Sequence, residues 1–455
     1  MSKLEIFTTN PISLNSQSFY PRNYTPNFIF VKEGIASCPT MIEYVNEKIV
    51  GGSTPPAYFF YKDRGIPFIK TSAVSRHFIN INDLQLIDES YHRQTIKRSI
   101  THPYDVIFTM TGKFMGKAAM CPPTIAEMNM SQNSVLLKTK SALESAFLTI
   151  FLNSQINRIQ VKGTYSITKQ KFLNQGKIAN LKVMKYEKRY DEIMKKYVKS
   201  FDNYYYSLQK IKAIIDEFNY NFGLSFKDIS QYGFPVAPGA LDKRMLVPNF
   251  YRPDVEKTID ALVKDADNAK LVSNRIKKGD EVGSANYSED GIPFIKTSDI
   301  INFDIDYEPD CYCSESFIKQ LKQDIEYGDI IFAKDGKPGE VAIIMENKNV
   351  ILSSGLVKYR PCNEEERYWL FLLLSSKFGS SYFKKWFVIS STMLHLRKDF
   401  FNSFSVPLIT EDIKTKYIYR LKQLFELKKE SFKQIFKIKD LVEESFTNPN
   451  VKLDI

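Results

Sequence analysis

The sequence has little of what catalytic or exported chains usually carry. Only five of its 455 residues are cysteine, at Cys38, Cys121, Cys311, Cys313 and Cys362. None forms a CxxC pair and no histidine is close to any of them in sequence, which argues against a disulfide framework or a zinc site and for a reducing compartment, the cytoplasm. The four histidines, His77, His92, His102 and His395, fall in no metal-ligand spacing. The chain lacks a G-x-S-x-G nucleophile elbow, a G-x-x-x-x-G-K-[ST] phosphate loop and a strand-linked glycine loop for S-adenosylmethionine. Its Pro55-Pro56 and Pro122-Pro123 pairs follow Thr and Cys, so neither completes the Asn/Asp-Pro-Pro-Tyr tetrapeptide of amino-methyltransferases. No catalytic residue, cofactor or metal is therefore expected. Apolar runs such as Trp369 to Leu374 stop far short of the roughly 20 residues a membrane helix needs. Met1-Ser2-Lys3-Leu4-Glu5 opens without the apolar run of a signal peptide.

What is present is a duplication. Gly65-Ile66-Pro67-Phe68-Ile69-Lys70-Thr71-Ser72 returns unchanged as Gly291-Ile292-Pro293-Phe294-Ile295-Lys296-Thr297-Ser298, 226 residues on. At almost the same offset, Tyr104 to Phe108 aligns with Gly328 to Phe332, and Gly112-Lys113 with Gly336-Lys337. Phe19-Tyr20 is echoed by Phe250-Tyr251, and Leu148 to Ser154 by Leu370 to Ser376. A period above 220 residues is too long for a solenoid of small repeats. Each copy is expected to be a domain with its own core. An excess of 63 Lys and Arg over 52 Asp and Glu, a formal charge of +11, favours a polyanionic partner.

Short apolar runs broken by Gly and Pro, with a few helical stretches and no regular βαβ alternation, indicate an α+β fold in each half. Ile66 to Ile69 and Asp105 to Met110 read as strands, Ala142 to Asn157 as an amphipathic helix. From Tyr190 the pattern changes. Tyr190, Met194, Tyr197, Phe201, Tyr204, Leu208, Ile211, Ile215 and Phe218 alternate steps of four and three, a heptad stripe that predicts a long helix in need of a partner. A second stripe runs through Tyr417, Leu421, Leu424, Ile435, Ile438 and Val442, but Lys428 and Ser431 occupy its middle. Two long helices closing two duplicated domains are expected to pair, with packing against each helix's own domain as the alternative. The resulting order is an N-terminal arm and first domain over residues 1–184, a helix over 185–222, a linker over 223–253, a second domain over 254–408 and a helix over 409–447.

Three segments in each half carry chemistry suited to nucleic acid. In the repeated octapeptide a cation precedes two hydroxyls, Lys70, Thr71 and Ser72 in one copy and Lys296, Thr297 and Ser298 in the other, groups that suit phosphate and base-edge contacts. The glycine loops that follow the Asp105 and Asp329 strands bring Lys113 and Lys117, and Lys334 and Lys337, to places where the backbone can approach a ligand closely. Late in each half come Thr164, Tyr165 and Lys169, and Ser391, His395, Arg397 and Lys398. Plain turns and solvated loops would show the same composition.

These features together resemble the specificity subunit of a Type I restriction-modification system. Gly52-Ser53-Thr54-Pro55, the two octapeptides, Gly328 to Gly336 and Val406-Pro407-Leu408 carry the resemblance over nearly the whole chain, with Thr111-Gly112 standing where Asp-Gly is usual. The resemblance implies two target recognition domains that read a bipartite, asymmetric site on double-stranded DNA. It further implies an antiparallel coiled coil that docks two modification (methyltransferase) subunits, with a restriction (motor and nuclease) subunit able to join. The chain itself would be non-catalytic. A lone nuclease or methyltransferase, and a coiled-coil scaffold indifferent to DNA sequence, are the competing readings.

Overall fold

The computed structural model describes residues 25–61, 64–112, 115–167, 171–225, 234–241, 247–263, 269–271, 275–288, 290–318, 321, 324–337, 339–390 and 393–453. It divides into two compact units, one comprising the described residues up to Tyr206 and from Glu430 onward, the other Ser207–Lys429. The fold is α+β, and the two units repeat one architecture.

In the first unit a four-stranded antiparallel sheet runs in the order Val50–Gly51, Ser134–Leu137, Val106–Thr109, Ala118–Met120. In the second, Ile276–Lys278, Leu356–Tyr359, Ile330–Ala333 and Val341–Ile343 take the same order. The Val106 and Ile330 strands are buried along their whole length, which is why they read as continuous apolar runs rather than as alternating ones. The repeated octapeptide supplies the strands Ile66–Ile69 and Ile292–Ile295. Each has an antiparallel neighbour on one side, Gln85–Ile87 or Tyr312–Cys313, and a parallel one on the other, Asn129–Met130 or Ile351–Leu352.

Two letters of that octapeptide have an immediate structural cause. Gly65 and Gly291 open it at φ 126° and 113°, and a Cβ on either would collide with a carbonyl oxygen of the neighbouring strand, that of Ile87 or Cys313. Only glycine combines that backbone angle with so close an approach.

The helical layer corrects one expectation. The helix read over Ala142 to Asn157 ends at Asn153, and a second helix, Gln155–Thr164, follows at once. Ser154 makes the break: its hydroxyl donates to the Phe151 carbonyl and accepts from the Asn157 N–H, capping the second helix. Ser376 does the same between Glu364–Ser375 and Lys377–Trp386. Lys162, Gly163 and Thr164 form the last turn of the Gln155–Thr164 helix.

Both heptad stripes form long helices, a central one over Asp191–Asn221 and a terminal one over Glu411–Ser445. All nine residues of the first stripe are buried, Tyr190 in the turn just before the central helix and the other eight within it. Within the first unit its start meets the end of the terminal helix: Arg189 donates to the Pro449 carbonyl at 3.0 Å, and the Tyr190 and Ser445 hydroxyls are 3.2 Å apart. Further along, Tyr204 meets Phe432, so the pair is antiparallel. Within the second unit the end of the central helix meets the start of the terminal one. There Arg420 grips Glu217 with two hydrogen bonds of 2.8 Å, and Asn221 donates to the Tyr417 hydroxyl.

The helices also pack on the domains. In the first unit Phe78 is buried among Phe201, Tyr204 and Phe432, with ring centroids 4.5 to 6.4 Å away. The Tyr205 hydroxyl both donates to the Ile79 carbonyl and accepts its N–H. Pairing and domain packing, posed as alternatives by the sequence, occur together.

Candidate nucleic-acid interface

In each unit, segments far apart in sequence converge at the glycine loop. In the second unit the strands Phe387–Ser390 and Met393–Leu396 form a hairpin. Its second strand joins the loop through an Asp335–His395 bridge, with Leu396 N–H donating to Lys334 and Gly336 N–H to Leu394. In the first unit the smaller hairpin of Ser166–Ile167 and Lys171–Phe172 joins the corresponding loop through a Thr111–Phe172 bridge, and Leu173 N–H donates to Met110. Gly112 and Gly116, like Gly336 and Gly339, hold positive φ between 67° and 95°, which lets each loop turn tightly beneath its hairpin.

The octapeptide's Thr297 reaches the same place, its side chain lying against the positions a Cβ would take at Gly336 and Gly355. Thus Thr297, Lys334, Lys337 and His395, drawn from three separate motifs, form one platform. Ser298 donates to Asp299 at its edge. Lys296 packs over the Tyr287 ring at 4.3 Å and donates to Cys311 Sγ at 3.2 Å. Burial opposes its charge, but the thiol and nearby Tyr287 and Asp299 leave its pKa above the ordinary lysine value. In the first copy Lys70 lies 5.3 Å from the Phe60 ring and Ser72 donates to Asp83 at 2.9 Å, both beside Thr71 in a short 3-10 turn.

Two lysines correct the expectation that the loop cations face outward. Lys117 is only 4% exposed, because it stands where the loop re-enters the sheet as the Ala118 strand. Lys334, 7% exposed, is ion-paired with Asp335 at 2.7 Å. Lys337 is exposed beside Glu340 at 3.6 Å. Thr164 donates to the Gln160 carbonyl, and Tyr165 is buried under Lys171, 5.4 Å from its ring. Arg397 pairs with Asp399, and Lys398 is exposed. Lys113, Lys169 and Ser391 lie outside the described residues.

Sequence reasoning missed the cations around the first unit's platform. A cavity of about 520 Å³ there is lined by Arg76, Gly112, Arg158, Lys162, Tyr165 and Lys171 among others. Arg158 and Lys162 sit four apart on the Gln155–Thr164 helix, a same-face spacing that lies beyond the helix read as ending at Asn157. Among the described residues no group of histidine, cysteine or carboxylate side chains could hold a metal ion, and no helix is long and apolar enough to cross a membrane.

A family profile, the Type I restriction modification DNA specificity domain, matches residues 271–439. Residues 271–439 are thus similar to the DNA specificity domain of Type I restriction-modification systems. The matched residues contain the second unit's sheets, its platform and most of the terminal helix. Among solved structures the chain is similar to a Type I restriction-modification S subunit from M. genitalium, at 12% identity and a TM-score of 0.35 over 90% of this chain and 95% of that one. It is also similar to the HsdS subunit from Thermoanaerobacter tengcongensis, at 15% identity and a TM-score of 0.27 over 92% and 96%. A search of curated proteins finds no match.

Proposed function

We propose that this chain is a Type I restriction-modification specificity subunit and that it recognises a bipartite, asymmetric site on double-stranded DNA, one part with each unit. The observation that carries the proposal is the repetition, in two units that differ in the side chains presented, of a glycine loop joined to a hairpin, reached in the second unit by the octapeptide's Thr297. A common scaffold with divergent contacts suits the reading of two different half-sites. The net positive charge supplies the sequence-independent part of binding. On this reading residues 1–184 and 254–408 form the recognition domains, joined by the linker over 223–253, and the helices over 185–222 and 409–447 dock two modification subunits, with a restriction subunit able to join. Such an assembly would work on chromosomal DNA in the cytoplasm.

The candidate contacts are Thr71, Thr297, Lys337, His395, Arg397 and Lys398, with the remaining platform residues positioning them. The chain is proposed to be non-catalytic. Purified alone, it should bind DNA yet neither cleave it nor transfer a methyl group from S-adenosylmethionine. The deciding experiment is to sequence methylated sites in cells carrying the gene together with its modification partner. A single split motif that disappears when this gene is deleted is the expected result. If mobility shifts of the purified chain prove indifferent to DNA sequence, the scaffold reading replaces this one.

A further inference from the structure

We infer that the first unit anchors its half-site by seating a DNA backbone phosphate in the cavity beside Tyr165, and that the described residues of the second unit form no equivalent seat. The inference rests on the DNA-binding reading above and adds a division of labour to it.

The cavity's described lining carries four cations, Arg76, Arg158, Lys162 and Lys171, and no carboxylate. A concave site lined by one sign of charge focuses the field and concentrates the opposite charge. Arginine is suited to phosphate by its planar fork of donors, and Arg158 is held in place by its Nε donating to the Asn153 carbonyl at 2.9 Å. At about 520 Å³ the cavity falls in the size range of nucleotide- and drug-sized ligands, roughly 300–1,000 Å³. Its floor is open where Gly112, at φ 67°, has no atom within 4 Å of the position a Cβ would take.

The second unit builds the same loop and hairpin but fills them differently. Asp335 stands where the first unit has Thr111, bridging to the hairpin in the same way. Its carboxylate accepts from His395 and pairs with Lys334. A carboxylate at that point repels a phosphate and neutralises the lysine that would attract one. The two platforms therefore share a backbone but differ in charge.

The test uses the full-length chain and duplexes in which one half-site is intact and the other scrambled, with binding measured from 50 to 300 mM salt, about a sixfold range over which counterion release is resolved. The slope of log affinity against log salt should be steeper on the first half-site by about one to two. The Lys162→Gln/Lys171→Gln double variant removes two exposed cations. It should lower that slope by about one and weaken binding about tenfold on every sequence. Thr111→Asp, which imports the second unit's carboxylate, should lower it too. Lys195→Gln/Lys199→Gln, on the central helix, should leave it unchanged. Unaltered thermal melting of each variant shows that the fold is intact. Equal slopes on the two half-sites, or an unaltered slope in the Lys162/Lys171 variant, would overturn the inference while leaving specific binding intact. A wild-type chain that fails to distinguish its site from scrambled DNA would instead sink the functional reading itself.

Discussion

At the scale of single residues, the most informative is Lys428. In sequence it breaks the second heptad stripe, which made the terminal helix look weaker than the central one. In the fold its ammonium is 3.1 Å from Asp304 Oδ2, and both side chains are buried. Asp304 also accepts from the Tyr307 hydroxyl at 2.9 Å, which itself accepts the N–H groups of Met345 and Glu346. Burial pushes the Lys428 pKa down and the Asp304 pKa up, each partner opposing that shift in the other. The polar break is thus an ionic attachment between helix and sheet. Removing one partner strands the other charge, so Lys428→Ala should cost about 3–5 kcal/mol in urea unfolding. The double change Lys428→Met/Asp304→Asn should recover most of that loss. Equal destabilisation by the single and double variants would show that the pair does not act as a unit. The octapeptide glycines make a simpler case. Gly65→Ala and Gly291→Ala meet both an unfavourable φ and a neighbouring carbonyl oxygen, and each should lower stability by about 1–3 kcal/mol, measurable as a fall in urea midpoint.

At the scale of elements, the two long helices owe their antiparallel match to aromatic seams and to a few specific polar contacts. One of these is sensitive to pH. The two hydrogen bonds from Arg420 hold the Glu217 carboxyl below the usual glutamate value of 4.5. A carboxyl whose pKa is depressed on folding contributes stability above its unfolded pKa and loses it as pH falls through the folded one. The difference in melting temperature between wild type and Glu217→Gln should therefore be present at pH 7 and shrink below about pH 4.5. Because both groups are more than a third exposed, the effect should be small and salt-sensitive. A difference that persists unchanged at pH 3 would mean that Glu217 acts through packing rather than charge. The hairpins invite a parallel comparison. Lys337 is the exposed lysine of its loop, and Lys337→Ala should lower the salt slope of DNA binding by about one on any sequence.

At the scale of the whole molecule, duplication gives one chain two repeated units, proposed to read one half-site each, and the long helices are proposed to set the spacing between half-sites. A helix of 31 residues, as in Asp191–Asn221, is about 46 Å long at roughly 1.5 Å per residue. That length corresponds to around 13 base pairs, little more than one turn of DNA. Inserting one heptad into both helices, between Tyr204 and Leu208 and near Lys428, preserves the seam while adding about 10 Å. The methylated motif should then keep its specified bases and gain about three base pairs in its unspecified gap. A variant that folds and directs its modification partner to methylate with the original gap would show that the helices do not set the spacing.

The sequence by itself determined the duplication, the α+β class, the buried strands and both long helices, because each depends on local periodicity or on repeated letters. It also located the three segments that meet at the second unit's platform and the loop and hairpin segments that meet in the first, since cations and hydroxyls beside glycine are visible in one dimension. Tertiary structure decided what those segments do with their charges. Lys117 and Lys334 turned inward because their strand positions are buried, and Lys428 found Asp304 some 124 residues away. Arg76, Arg158, Lys162 and Lys171 came to line one cavity because the helix after Ser154 and the hairpin after Tyr165 fold over the same glycine loop. Periodicity reports which face of an element is buried, but burial of a charge depends on a partner that only the folded chain brings within reach.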